Sequence, residues 1–154
     1  MPFDTPDGTR GGRQPHGRFL RWMNAFAAKR ISRKGKMPGL GFDALVLTTV
    51  GRRSGEQRRS PLGWFPGEDG SWLIVAAAAG APKNPSWYYN IKANPDRVTI
   101  ELPGRTVAVI AEQLHGAERQ ESWQQIIAAA PQFAKYQRQT DRELPVIRLT
   151  ARPN

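Results

Sequence analysis

The chain contains no cysteine. That absence removes disulfides, thiolate metal sites and a cysteine nucleophile together, and makes a cytoplasmic setting the default expectation. Histidine is almost as scarce: His16 and His115 stand far apart and offer no metal-ligand spacing, so no metal site is expected. Long apolar runs are missing too. The longest, Ala44 to Val50 and Trp72 to Ala79, fall well short of the roughly 18 residues of a membrane span. Asp4, Asp7 and several glycines stand where a secretory signal would place a basic end and an apolar stretch, so no signal peptide is expected. Neither Gly-x-Gly-x-x-Gly nor Gly-x(4)-Gly-Lys-Ser/Thr occurs, which excludes the common nucleotide-binding fingerprints. Acid is the under-represented charge: 13 Asp and Glu face 23 Lys and Arg, a net +10 over 154 residues. Charge of that size implies an anionic partner, whether nucleic acid, an anionic membrane face or a polyanionic small molecule.

What is present suits one well-filled core, with 39% hydrophobic and 23% charged residues. Residues 1–17 mix Gly, Pro, Asp, Thr and Arg without periodicity and read as a flexible leader; residues 18–154 read as a single domain. From Arg18 to Ile31, Phe19, Leu20, Trp22, Met23, Phe26, Ala27 and Ile31 recur at helical spacing among basic residues. This basic amphipathic helix either packs on the domain or lies on a membrane surface. A basic loop follows over 32–42.

The pattern then predicts strands at Ala44–Val50, Arg58–Phe65 (broken by Gly63), Ser71–Ala77, Arg97–Leu102, Arg105–Glu112 and Pro145–Thr150. Turns fall at Gly51–Gly55, Gly67–Gly70 and Pro103–Gly104. A short helix is expected after Asn84, read as its cap with Pro85 at the first helical position, and further helices over Glu118–Ala130 and Pro131–Gln139. Six strands with inserted helices define a mainly β, α+β chain. They suit a split antiparallel β-barrel better than alternating βαβ units.

Two segments concentrate chemistry. Gly51-Arg-Arg-Ser-Gly55, with Arg58 and Arg59 close behind, puts four guanidinium groups and a hydroxyl on one turn. Forked guanidinium donors and close backbone approach at glycine are what phosphate binding needs; a solvated hairpin with surface arginines is the plainer alternative. Lys83-Asn-Pro-Ser-Trp-Tyr-Tyr-Asn90 follows a run of small residues from Ala76 to Ala81, which leaves room for a flat ring against the backbone; core aromatics and a cap explain it equally. Tyr136 offers a phenol near a substrate or covers the core. No catalytic triad, carboxylate dyad or metal cluster can be assembled, so an enzyme built this way leaves the hard chemistry to a bound cofactor.

Three segments in this order, Leu47-Thr-Thr-Val-Gly-Arg-Arg-Ser-Gly55, Arg58-Arg-Ser-Pro-Leu62 and Lys83-Asn-Pro-Ser-Trp-Tyr-Tyr-Asn-Ile-Lys-Ala-Asn-Pro95, resemble the deazaflavin-dependent nitroreductase family of actinobacterial type. The resemblance continues through Thr140-Asp-Arg142 and Pro145-Val-Ile147 and spans roughly Phe19 to Leu149. It implies a split barrel of the FMN-binding type that binds coenzyme F420, whose phosphodiester and glutamate tail matches a strongly basic protein. Carried over by position, Arg52, Arg53 and Arg58 meet the phosphate and tail with Ser54 assisting. Pro61 lies in the second matching segment. Ala76, Ala77 and Ala78 line the deazaflavin ring, Asn90 helps close that side, and Tyr136 stands beside the substrate to orient an acceptor or donate a proton. The chain departs from the family where a serine-lysine pair is expected at Ala77 and Ala78, and tyrosines at Ala130 and Phe133. Those departures bear on activity towards bulky nitroimidazoles.

The resemblance implies an F420H2-dependent reductase passing a hydride to a quinone, enone or nitro acceptor, some of them lipid-soluble. It is placed in the cytoplasm or at the inner membrane face through residues 18–31, as monomer or homodimer. The alternatives are a non-catalytic coenzyme carrier, an FMN-dependent reductase on the same barrel and, more distantly, a nucleic-acid-binding barrel using the arginine turn and Trp64.

Overall fold

The computed structural model describes residues 3–11 and 43–153. The expected amphipathic helix over 18–31 and basic loop over 32–42 lie outside the described residues. Among the described residues seven strands form one antiparallel sheet: β1 (Ala44–Val50), β2 (Gln57–Gly63), β3 (Phe65–Pro66), β4 (Trp72–Val75), β5 (Thr99–Leu102), β6 (Arg105–Gln113) and β7 (Val146–Ala151). Helix α1 (Ser86–Ala93) sits between β4 and β5, and α2 (Gly116–Ala129) and α3 (Gln132–Gln139) lie between β6 and β7.

The strand order is β2-β1-β5-β6-β7-β4-β3. β6 is the long strand and serves both halves. Its residues 105–108 pair with β5, and 109–113 pair with β7. β2 and β3 stand at opposite ends of that order although only Trp64 separates them in the chain. A two-residue span covers at most about 7 Å, so the sheet must curl until its two edges meet at Trp64. The result is the split barrel expected from the strand pattern. The single strand expected over Arg58–Phe65 is thus two. The Trp64 amide extends the β1–β2 ladder by one rung, donating to the Asp43 carbonyl at 2.9 Å, and the next residue, Phe65, pairs with Leu73 across the other margin.

Alternation along the strands makes two cores, because successive side chains point to opposite faces. Leu45, Leu47, Ile74, Ile100, Val109, Ile147 and Leu149 fill the barrel, and α1 plugs it with Trp87, Tyr88 and Ile91. Leu73, Val75 and Val146 face outward and are covered by Trp123 and Ile126 of α2, with Phe133 and Tyr136 of α3 packed alongside. Burying one such side chain contributes about 1.5–3 kcal/mol.

Helix α1 starts one residue later than the cap pattern predicts. Pro85 occupies the cap position and makes no side-chain cap bond. Asn84 is drawn away by tertiary partners: its amide donates to the Thr5 carbonyl and the Tyr89 hydroxyl, and its carbonyl oxygen accepts from Arg142. Residues 3–11, for which composition predicts no fold, are tied down along their length. Phe3, Thr5 and Asp7 alternate onto one face, as an extended strap requires. Phe3 packs on the Tyr88 ring with centroids 5.2 Å apart, the Thr5 amide donates to the Tyr88 hydroxyl, and Asp7 accepts from Tyr89 and from the Asn84 amide. Further on, the Gly8 amide donates to the Pro82 carbonyl, and Asp141 accepts from both Thr9 groups and the Arg10 amide. None of these partners is local in sequence, which is why composition alone misses them.

Candidate functional site: a cationic cleft beside a left-handed turn

β1 ends at Val50, and the turn opens with Gly51, whose amide donates to the Glu56 carbonyl at 2.8 Å while the Gly55 amide returns to the Gly51 carbonyl at 2.9 Å. A Cβ on Gly51 would sit 2.6 Å from Ser54 Oγ, and Gly55 has φ of +72°. Both geometries favour glycine. Ser54 Oγ accepts from the Glu56 amide at 3.1 Å and from the Arg58 guanidinium at 3.5 Å, so its hydroxyl knots the turn internally. Arg58 also pairs with Glu56 at 3.2 Å on the exposed surface, where such a pair contributes little.

Helix α1 holds this turn from behind. Asn90, 4% exposed, accepts from the Arg52 amide at 3.1 Å and donates to Thr49 Oγ1 at 3.2 Å. One turn later Asn94 donates to the Val50 carbonyl at 3.3 Å. The four-residue spacing puts both amides on one helix face against the end of β1. The Arg52 guanidinium lies over the Tyr89 ring, 4.9 Å from its centroid.

Between turn and helix opens a cleft of about 480 Å³ lined by Gly51, Arg52, Arg53, Ser54, Arg58, Arg59, Ser60, Ser86, Trp87 and Asn90. That size is ordinary for a ligand site. No acidic residue lines it among the described residues. Arg59 is turned partly aside by its ion pair with Glu101 of β5. Ser86 and Trp87 are the first two residues of α1, so the positive end of the helix dipole adds to the guanidinium groups. The chemistry of the lining is that of an anion receptor with one aromatic wall.

A second assembly follows β4. Ala78 and Ala79 adopt φ of +48° and +53°, and Gly80 +78°. Left-handed backbone costs an L-residue about 1–2 kcal/mol, so this turn must be held. Arg142, 2% exposed, holds it: Nη1 donates to the Ala76 carbonyl and Asn84 Oδ1 at 2.8 and 2.7 Å, and Nη2 donates to the Ala77 and Ala81 carbonyls, both at 3.0 Å. Burial lowers the pKa of this guanidinium from its ordinary value, and the Asp7 carboxylate works against that shift. Gln137 of α3 secures the segment that carries Arg142 by donating to the Arg142 carbonyl and accepting from the Leu144 amide. From α2, Arg119 donates to the Leu144 carbonyl at 2.9 Å.

The site residues anticipated from the sequence fall into two groups. Arg52, Arg53, Ser54, Arg58 and Asn90 meet in the cleft. Pro61, Ala76, Ala77, Ala78 and Tyr136 are not in its lining. Ala76 and Ala77 are buried, one in each core, with their carbonyls bound to Arg142; Ala78 is half-buried. Tyr136 is half-buried on α3, edge-on to Phe133 at 5.7 Å, and its backbone abuts the left-handed turn: a Cβ on Gly80 would sit 2.8 Å from the Tyr136 carbonyl. Ala130 is 1% exposed, and Phe133 meets Phe65 edge-on, so both positions where family tyrosines are expected serve the outer core. Trp64 packs against the barrel interior. Sequence reasoning missed Ser86 and Trp87 as cleft walls and Arg142 as the clamp. Arg142 stood in a matching motif, but nothing local marks which arginine is buried.

Fold and cleft together define a split-barrel protein with a receptor for an anionic ligand at the end of its first strand. Residues 21–151 match the family described as F420H(2)-dependent quinone reductase, and the chain belongs to that family. The F420H(2)-dependent quinone reductase Rv1261c of Mycobacterium tuberculosis is 36% identical over 112 residues, covering 71% of this chain and 74% of that protein. Among solved structures, an F420-H2 dependent reductase, FDR-A, is 38% identical with a TM-score of 0.61 and covers 70% of this chain and 93% of its own. A structure described as a domain-swapped dimer is 34% identical with a TM-score of 0.63, covering 86% of this chain and 100% of that one. No helix among the described residues is long and apolar enough to cross a membrane.

Proposed function

We propose that this chain binds reduced coenzyme F420 in the cleft between the arginine turn and α1 and delivers its hydride to a quinone. The family match and one observation support this: three guanidinium groups, from Arg52, Arg53 and Arg58, converge with a helix start on a cleft whose described lining carries no acid. A phosphodiester and glutamate tail fits such a lining, since each anionic oxygen finds a charge-assisted donor. When bound, the reduced deazaflavin supplies the hydride, and the protein supplies orientation and electrostatics.

In this reading Arg52, Arg53 and Arg58 hold the tail. Ser54 keeps Arg58 and the turn in register, and Asn90 fixes the backbone that presents Arg52. Ala78 and Pro61, both half-buried, border the ring, and Ala76 and Ala77, buried in the two cores, shape that edge only through the backbone that Arg142 holds. Tyr136 Oη is the proposed proton donor to the reduced acceptor. The apolar character of Phe133 beside it favours a quinone or enone over a strongly polar acceptor.

The test is titration of the protein with oxidised coenzyme F420 and, separately, with FMN, followed by ring fluorescence. Turnover of the reduced coenzyme with menadione comes next. Replacing Arg52 and Arg53 together by alanine removes two exposed charge-assisted contacts, about 1 kcal/mol each, and weakens F420 binding roughly 30-fold. Unchanged affinity in that variant refutes the cleft assignment. Preference for FMN makes the chain an FMN reductase, and tight F420 binding without menadione turnover makes it a carrier.

A further inference from the structure

The N-terminal strap reaches the cleft through one side chain. Tyr89 of α1 presents a ring face to the Arg52 guanidinium, 4.9 Å away, and its hydroxyl to Asp7 of the strap. That hydroxyl also accepts from the Asn84 amide at 3.1 Å, and Asp7 Oδ1 accepts from the Asn84 backbone amide at 3.0 Å. The ring itself stands edge-on to Tyr88 at 5.3 Å. Burial opposes charge on Asp7, but the Tyr89 and Asn84 bonds together with Lys83 and Arg142 lower its pKa, so the carboxylate is ionised at neutral pH. Burial and the same Asp7 contact raise the pKa of Tyr89, which keeps the phenol protonated as the donor.

A flexible arginine loses much side-chain freedom on gripping an anion. A guanidinium already stacked on an aromatic face loses less, because the planar fork is aimed beforehand. We propose that Asp7 and Tyr89 are positioning residues for the anionic ligand: the strap carboxylate fixes the Tyr89 ring, and the ring pre-aims Arg52 into the cleft. The segment read from composition as a leader is, on this account, part of the binding apparatus. The proposal rests on the cleft being the coenzyme site.

The experiment is a double-mutant cycle on the full chain, reading the dissociation constant of oxidised coenzyme F420 by fluorescence. Arg52→Ala, Tyr89→Leu and Asp7→Asn are made singly, and each of the last two is combined with Arg52→Ala. Tyr89→Leu is expected to weaken binding three- to fivefold, the size of an exposed cation–π contact. Asp7→Asn is expected to weaken it about twofold. Neither should weaken it further once Arg52 is gone, and Tyr89→Trp, which restores a ring face, should recover most of the loss. In turnover the loss should fall on KM for the coenzyme. Equal losses with and without Arg52, or no loss in either variant while Arg52→Ala itself weakens binding, would overturn the positioning role and leave the cleft assignment standing. No effect of Arg52→Ala overturns both. Should Tyr89→Leu fail to fold, Tyr89→Phe, which keeps the ring and loses the Asp7 bond, enters the same cycle and must match Asp7→Asn.

Discussion

Replacing Arg142 with methionine should be the most damaging single substitution in the molecule outside the cores. Methionine fills similar length but donates nothing, so the Ala76, Ala77 and Ala81 carbonyls and Asn84 Oδ1 lose a donor each. Charge-assisted bonds of this kind contribute about 1.5–3 kcal/mol apiece. Against that stands the recovered cost of burying a guanidinium, several kcal/mol. The left-handed run Ala78–Gly80 would also lose its anchor and relax. Balancing these, a net loss of about 3–5 kcal/mol is expected, because four neutral oxygens are left short of a donor while no charge is left unpaired. For a chain of this size, with a urea slope of about 2 kcal/mol/M, the unfolding midpoint should fall by roughly 2 M. Arg142→Lys should recover less than half, because one ammonium cannot span four oxygens arranged for a planar fork. A midpoint shift below about 0.5 M for Arg142→Met would refute the view that this side chain holds the turn.

Ala79, exposed at φ +53°, should gain about 0.5–1 kcal/mol on replacement by glycine, since relief of left-handed strain exceeds the added chain entropy; a loss of stability in urea would argue against strain there. Gly80→Ala should instead lose on the order of 2–3 kcal/mol, because its Cβ would meet the Tyr136 carbonyl at 2.8 Å and must adopt φ +78°; a neutral result by thermal unfolding would contradict that packing. Asp141 is held at about 2, below its ordinary 3.8, first by the Thr9 hydroxyl and then by the Thr9 and Arg10 amides. A depressed carboxylate stabilises above the unfolded value and ceases to do so as pH falls through the folded one. The Thr9 and Arg10 amide resonances should therefore titrate with a midpoint near 2, and a midpoint near 3.8 would mean the strap is not bound there.

The parts of this protein that could be read from its sequence are those whose causes are local. β1, the glycine-bracketed arginine turn and the aromatic helix each follow from neighbours within a few residues, and so does the clustering of Arg52, Arg53, Ser54 and Arg58. Asn90 came from the resemblance, and its buried bonds to Arg52 and Thr49 give the physical reason for its place. What escaped was decided by distant partners. Gly63 signalled a break but not that the chain would change edges of the sheet there. Asn84 looked like a cap until strap and clamp claimed its side chain. The small-residue run suggested an open floor, yet Ala76 and Ala77 alternate into two cores, a consequence of β4 being covered on both faces.

The crossing at Trp64 also bears on how the molecule comes apart. Exposed strand margins ordinarily fray first and invite pairing with other chains. Here a single peptide stretch feeds both margins, so loosening one pulls on the other, and among the described strands neither end of the sheet can peel away on its own. Amide protons on either side of that seam should exchange with solvent together, in one concerted opening.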